Sequence, residues 1–167
     1  MTRTAIVRPV SWMNAAITIG ILLVCVGVGH LLVPDGGIVL GAVCYLVMSV
    51  VLRTVLCRHH RAAIRHCRRL EYAEAIPDFR RSVEFFGRHP WLDRFRAITL
   101  LSAARMSYRE MGWVNLGFCY GQVGDGANAR LCYDGCLAEY PGNEMAQAAL
   151  RLMDAAAKQS PAGEPTA

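Results

Sequence analysis

The sequence lacks the short motifs that most directly indicate an enzyme. It contains no GxSxG, no HExxH and no P-loop, and its acidic residues are scattered along helical patterns. We therefore expect a protein that is not an enzyme, with no catalytic residue and no cofactor. An enzyme whose site is completed by a partner is the weakest alternative.

Cysteine pairs of the CxxC type are also missing. The seven cysteines are an odd number, and their spacings fit neither a zinc ribbon nor a disulfide framework, so a reducing compartment is favoured. Cys57, His60 and Cys67 can share one helix face. One helix presents at most two or three ligands, and the nearby arginines repel a cation, so we expect no metal site.

Charge is absent from two long stretches near the N-terminus. Residues 12–33 include no Asp, Glu, Lys or Arg, and a second uncharged run covers residues 38–52. As a helix the first run is about 33 Å long, which matches a hydrocarbon core about 30 Å thick. Arg53 can snorkel, which extends the second span to Leu56. Because a polar turn at residues 34–37 separates the runs, we expect a transmembrane hairpin over residues 12–56, with spans at 12–33 and 38–56.

A cleaved signal peptide is the competing interpretation of the first run. That run is too long for the apolar region of a signal peptide, it has no clear small-x-small cleavage site, and a second run follows at once. Two pairs of small residues favour close helix packing, Ala16 with Gly20 and Gly37 with Gly41. We expect this packing within the hairpin, with a dimer interface as the alternative.

Acidic residues are missing from residues 53–69, which contain six arginines and three histidines. A nucleic-acid site is one interpretation of such a run. Because the run follows an apolar span, the positive-inside rule favours the cytosolic flank of a membrane helix and no nucleic acid. Each basic side chain near anionic lipid contributes roughly 1 kcal/mol. The residues expected to contact anionic lipid are Arg58, Arg61, Arg65, Arg68 and Arg69.

The same charge pattern predicts the orientation of the chain. Arg3 and Arg8 precede the first span, the arginine-rich run follows the second, and the turn between them carries only Asp35. We therefore expect an integral protein of a bacterial inner membrane. Both termini, including the segment at residues 1–11, are expected in the cytosol.

Residues 107–141 carry aromatic and small residues at fixed spacings. A first set follows the pattern W-x2-L-G-x2-Y: Trp113, Leu116, Gly117 and Tyr120. A second set continues at regular distances: Ala129, Tyr133, Cys136 and Pro141. Gly124 lies between the sets and is expected to end the first helix, while Ser107 and Glu110 form a capping box before it.

These residues resemble one tetratricopeptide repeat. A weaker set in the preceding segment resembles another: Ala63, Ala75, Phe79 and Ser82. Pro77 is expected in the opening turn of that repeat's second helix, where proline is tolerated. The chain is therefore similar to membrane-anchored tetratricopeptide-repeat proteins. The resemblance implies an all-α fold, a right-handed helical superhelix over residues 57–158 after the hairpin, and a role in protein–protein interaction.

An insert separates the two repeats. Pro90 is expected to open one further helix. Its apolar stripe consists of Trp91, Leu92, Phe95, Ile98 and Leu101. A last helix at residues 144–158 is expected to cap the stack, and residues 159–167 to form a disordered tail. Since no glycine, proline or capping signal follows Gly41 before residue 70, we also expect one continuous helix over residues 38–70.

Repeats of this family often bind peptides on their concave face. Carried over position by position, the resemblance places the following residues on that face: Arg61, Ile64, Arg68, Met111, Asn115, Phe118 and Gln122. We therefore expect a membrane-tethered adaptor or scaffold that binds a cytosolic or membrane protein, for which the tether raises the effective concentration. A self-associating structural membrane protein, a homo-oligomer, is the alternative.

Overall fold

In the computed structural model, residues 11–159 are described, and the regular elements of that part are helices. In chain order they are α1 (Trp12–Leu32), α2 (Gly37–Leu56), α3 (Arg58–Arg68), α4 (Tyr72–Arg88), α5 (Pro90–Arg94), α6 (Arg96–Thr99), α7 (Tyr108–Gln122), α8 (Gly126–Glu139) and α9 (Glu144–Gln159). The predicted all-α fold is confirmed. The expected disordered tail, apart from Gln159 at the end of α9, lies outside the described residues, as does the N-terminal segment before Ser11.

The first two helices form an antiparallel hairpin, and each is long and apolar enough to cross a membrane. Most of their large apolar side chains point outward, which the core helices of a water-soluble domain do not do. The two helices approach most closely at glycines. A Cβ added to Gly37 would lie 2.0 Å from the carbonyl oxygen of Gly29, and one added to Gly41 would lie 2.3 Å from that of Cys25. The pair Gly37 and Gly41 therefore packs within the hairpin, whereas Gly20 faces open space.

The prediction of one continuous helix over residues 38–70 is wrong, because the helix is interrupted at one residue. Cys57 leaves the helical conformation, with φ −100° and ψ 21°, and separates α2 from α3. Its amide donates to the carbonyl of Arg53 at 3.2 Å, and its own carbonyl accepts from the amide of Arg61 at 2.9 Å. The interruption is tertiary in origin, because the Cys57 side chain is buried against Phe86 and Leu100.

The remaining long helices form the part of the fold that we call the helical stack, residues 57–159 without the insert. Helix α3 packs on α4, α4 on α7, α7 on α8 and α8 on α9. Short loops join α3 to α4, α7 to α8 and α8 to α9, which favours antiparallel neighbours. The insert joins α4 to α7. The shared core consists of small residues beside aromatic ones: Ala63, Ala75, Phe79, Leu116, Cys119, Tyr120, Ala129, Cys132, Tyr133, Cys136 and Ala146.

Several local signals lie where the sequence predicts them. Ser107 and Glu110 form both bonds of the capping box at the start of α7. Gly124 adopts a left-handed φ of 82° just after that helix, a conformation that favours glycine. Pro77, in contrast, does not lie where it was predicted. It is inside α4, five residues after Tyr72, and not in the opening turn of that helix. Helix α4 starts early because the chain reverses just after α3, at Leu70, which has φ 63°.

The insert, residues 89–107, differs from its prediction. It forms two short helices, α5 and α6, followed by irregular chain, and its apolar residues do not share one face. Leu92 and Leu101 are buried, whereas Trp91, Phe95 and Ile98 are exposed. The reason is that the chain turns at Phe95 and Leu100 to contact two other parts of the molecule.

On one side, the insert is bound to the open end of the hairpin, where α1 begins and α2 ends. The amide of Ser11 donates to the carbonyl of Ala103 at 2.9 Å. The side-chain amide of Asn14 donates to the carbonyl of Ala104 at 3.1 Å. Arg53 donates to the carbonyl of Leu100 at 3.0 Å and also to that of Leu101. Arg53 therefore holds the insert and does not extend toward solvent.

On the other side, the insert caps α7. The buried carboxylate of Asp93 accepts the first two amides of that helix, from Tyr108 at 2.7 Å and from Arg109 at 2.9 Å. A carboxylate at a helix N-terminus satisfies unpaired amides and opposes the positive end of the helix dipole. The insert thus connects the hairpin to the helical stack.

Candidate interaction groove

A cavity of about 640 Å³ lies where the hairpin, the helical stack and the insert meet. We call it the arginine groove. Its lining residues are Leu46, Ser49, Val50, Arg53, Cys57, His60, Arg61, Ile64, Arg65, Arg68, Ser102, Ala104, Met106, Tyr108 and Met111. The groove is therefore built by α2, α3, the end of the insert and the first turn of α7.

The chemistry of the groove changes along its length. At the hairpin end its wall is apolar, with Leu46 and Val50. Along α3 it becomes basic, because Arg61, Arg65 and Arg68 recur at intervals of four and three residues and so share one helix face. The arrangement suits a ligand that carries both an apolar part and negative charge.

The positive charge in the groove is not neutralised within the described part of the chain. Among residues 11–159, Arg61, Arg65 and Arg68 form no ion pair, and no Asp or Glu lines the groove. Arg61 donates only to a neutral group, the hydroxyl of Thr54, at 3.0 Å. All three side chains are exposed. Exposed guanidinium groups without a carboxylate partner are available to an anionic ligand, which they bind with paired N–H donors.

The floor of the groove is formed by Cys57, Tyr108 and His60. Burial raises the pKa of the Cys57 thiol to about 11 and that of the Tyr108 hydroxyl to about 12, so both are protonated at neutral pH. The ring of His60 stands edge-on against Phe79 and Tyr108, with centroids 5.6 and 5.3 Å away. A protonated, buried thiol is a poor nucleophile, so the floor shapes the groove and does not suggest covalent catalysis.

Four of the predicted partner-binding residues lie together in this groove: Arg61, Ile64, Arg68 and Met111. The other three, Asn115, Phe118 and Gln122, do not line it. They continue along α7 from Met111 at helical spacing, on the same face. Phe118 is half-buried, with its ring edge-on to that of Tyr72 at 5.7 Å.

The predicted lipid-contacting arginines divide into two groups. All five are exposed. Arg61, Arg65 and Arg68 line the groove, whereas Arg58 and Arg69 do not. Arg58 instead donates to the ring of His59 at 3.2 Å. Arg69 follows the last turn of α3.

The sequence did not reveal that the insert lines part of the groove. Ser102, Ala104 and Met106 come from irregular chain with no helical or alternating pattern. Arg53 was expected at the membrane boundary but also lines the groove. No local sequence signal indicates this role, because the insert that Arg53 contacts begins 36 residues later, at residue 89.

Arg109, in the first turn of α7, has a structural role. Arg109 forms a bidentate ion pair with Glu139 of α8, with distances of 2.5 and 2.6 Å, and donates to the carbonyl of Val83 in α4 at 2.8 Å. Glu139 also accepts from the indole of Trp113 at 3.2 Å. The guanidinium holds the pKa of Glu139 below its ordinary value. This network joins three helices.

In the stretch from Ser11 to Gln159, no three His, Cys, Asp or Glu side chains are grouped so that they could hold an ion. The cysteines are free thiols, and Cys67 and Cys119 lie between α3 and α7 with their sulfur atoms 3.4 Å apart. His66 bonds Glu71 at 2.7 Å, and His59 lies 3.7 Å from Asp78.

Comparison with protein-family models, with curated proteins and with solved structures gave no match. The function must therefore be inferred from the geometry of the groove and its position beside the hairpin.

Proposed function

We propose that the chain is a membrane-tethered protein–protein interaction module, an adaptor or scaffold. Its hairpin spans a bacterial inner membrane, and its tetratricopeptide-like stack lies in the cytosol with both termini. The arginine groove receives a segment of a partner protein that has apolar and acidic residues. The observation that carries this proposal is the unpaired arginine face of α3 beside an apolar wall.

The position of the groove supports this assignment. It opens at the junction between the apolar hairpin and the charged stack, so a partner held there lies at the membrane surface. A tethered site meets membrane-bound partners at high effective concentration, and weak contacts then suffice. Anionic lipid headgroups would meet Arg58 and Arg69 outside the groove, while the partner occupies Arg61, Arg65 and Arg68.

The test is recovery of a partner by the full chain from mild detergent. We expect a protein recovered in stoichiometric amount, and its loss when Arg65 and Arg68 are both changed to Glu. The matched control is Arg151→Glu on α9, an exposed arginine outside the groove. Equal recovery by the groove variant and the control would refute the groove as the binding site.

Orientation has its own test. A reporter that is active only in the cytosol should be active when fused to the C-terminus, and a reporter that is active only after export should be silent there. The opposite pattern would place the stack outside and overturn the proposed topology.

Self-association is the second candidate. Gly20 and Gly27 on α1 have no atom within 4 Å of an added Cβ, so that face of the hairpin has room for another helix. Recovery of the chain alone, as an oligomer that Gly27→Leu dissociates, would favour a structural role over the adaptor.

A further inference from the structure

The insert presents an apolar surface that the groove does not use. Trp91, Phe95 and Ile98 are exposed by 56%, 53% and 57%. All three are exposed, so they form the outer side of the segment made by α5, Phe95 and α6. The opposite side is also apolar but is packed inward, since Leu92, Ala97 and Leu100 are buried. A short segment that is apolar on both sides needs an apolar environment for its outer side.

The contacts of the insert determine where this surface lies. Helix α6 packs directly against α1, and the chain that follows it is hydrogen-bonded to Ser11 and Asn14, at the beginning of that helix. Arg53, in the last turn of α2, holds the carbonyls of Leu100 and Leu101. The insert therefore lies at the level where the hairpin begins and ends. If the hairpin spans a bilayer, that level is the boundary between acyl chains and headgroups.

The residue types fit that boundary. Tryptophan and other aromatic side chains concentrate at membrane interfaces, where an apolar ring and a polar edge are both accommodated. Trp12, at the beginning of α1, is exposed by 87% and belongs to the same boundary. Arg94 lies over the ring of Phe95, with its central carbon 5.9 Å from the ring centroid, and is exposed, so at such a boundary its guanidinium would be available to headgroup phosphates.

We propose that the insert is an interfacial membrane-docking element: Trp91, Phe95 and Ile98 are immersed in the headgroup boundary of the bilayer that holds the hairpin. The inference rests on the proposed insertion of the hairpin and adds a third lipid contact to its two spans. Together with Asp93 and Arg53, this contact holds the helical stack in a fixed orientation, so that the arginine groove faces along the membrane surface.

The test is quenching of tryptophan fluorescence by lipids brominated near the headgroup end of their acyl chains, with the full chain in nanodiscs. The contribution of Trp91 is the difference between a Trp12→Phe variant and a Trp12→Phe/Trp91→Phe variant, both of which keep Trp113. The contribution of Trp12 is the difference between the unaltered chain and Trp12→Phe. These replacements keep an aromatic ring at each position, so folding is preserved.

We expect strong quenching of the Trp91 contribution, comparable with that of Trp12. A Trp12→Phe/Trp91→Phe/Leu152→Trp variant is the control for an exposed position on α9, far along the stack, and its added fluorescence should not be quenched. Quenching of Trp12 without quenching of Trp91 would overturn the docking element and leave the hairpin intact, and would point to a protein covering this face. Failure to quench Trp12 would refute insertion itself and the docking element with it.

Discussion

Two glycines of α7 give opposite predictions for the same substitution. A Cβ at Gly117 would lie 2.8 Å from Cε1 and Cζ of Tyr133, whereas one at Gly121 would have no atom within 4 Å. Ordinary carbon–carbon contacts are about 3.5–4.0 Å, so Gly117→Ala brings atoms roughly 1 Å too close. Tyr133 belongs to the buried core and cannot move away without separating α7 from α8.

The magnitudes follow from two effects. Replacing glycine by alanine within a helix stabilises it by up to about 1 kcal/mol. Overpacking a core costs about 1–3 kcal/mol. Gly121→Ala gains the first effect alone, so it should be neutral or stabilising. Gly117→Ala also bears the second, so its free energy of unfolding should lie about 1–3 kcal/mol below that of Gly121→Ala.

The assay is native-state hydrogen exchange of α7 and α8 in mild detergent, with urea unfolding followed by circular dichroism as a second measurement. A Tyr133→Leu background provides the control, because the added methyl group then has room and the cost of Gly117→Ala should shrink. Equal stabilities of the two alanine variants would show that close approach of α7 and α8 at Gly117 does not occur.

Three further outcomes follow from the structure. Gly41→Ala should lower the thermal stability of the hairpin in detergent, because its Cβ meets backbone atoms of α1, while Gly27→Ala should not; equal melting of both would contradict the close packing. Asp93→Asn should speed hydrogen exchange of the first amides of α7, since hydrogen bonds to a charged group contribute about 1.5–3 kcal/mol, and unchanged exchange would exclude this cap. Arg109 lowers the pKa of Glu139 from its ordinary value of 4.5. The stability that Glu139 adds, relative to Glu139→Gln, should therefore be complete above about pH 4.5 and be lost as the pH falls through the folded-state pKa. Urea titrations at several pH values would show this dependence.

The elements that the sequence predicts well are those whose signals are local. The spans expected at residues 12–33 and 38–56 correspond to Trp12–Leu32 and Gly37–Leu56, because uninterrupted apolar runs and a glycine-rich turn need no tertiary information. The capping box of α7 was predicted for the same reason, since Ser107 and Glu110 are three residues apart and each side chain accepts from the other residue's amide.

The elements that were missed depend on contacts distant in sequence. Nothing near Cys57 predicts a helix end there, since it results from burial of that side chain against Phe86 and Leu100. The insert was read as one helix because its apolar residues recur at helical spacing. In the fold, these residues lie in two environments: Leu92 is buried, whereas Trp91 is exposed.

The candidate groove shows the same division between local and distant signals. The sequence identified the arginines of α3 by two routes: the repeat resemblance placed Arg61 and Arg68 on a binding face, and the acid-free basic run singled out Arg65. It did not identify the opposite wall, because Ser102 and Met106 reach the groove only through the docking of an irregular segment. The extension along α7 to Asn115, Phe118 and Gln122 stays a prediction.

The hairpin, the helical stack and the insert all line the groove, and they are joined to one another in different ways. A one-residue interruption at Cys57 connects the hairpin to α3, while hydrogen bonds from Arg53 and Asp93 connect the insert to the hairpin and to α7. If the angle at Cys57 changed, the distance between the arginines of α3 and the insert wall would change with it. A ligand that bridges both walls binds one angle better than others, and by linkage it shifts the hairpin toward that angle by its difference in affinity. If the proposed function holds, a partner that occupies the groove would therefore favour one orientation of the hairpin relative to α3.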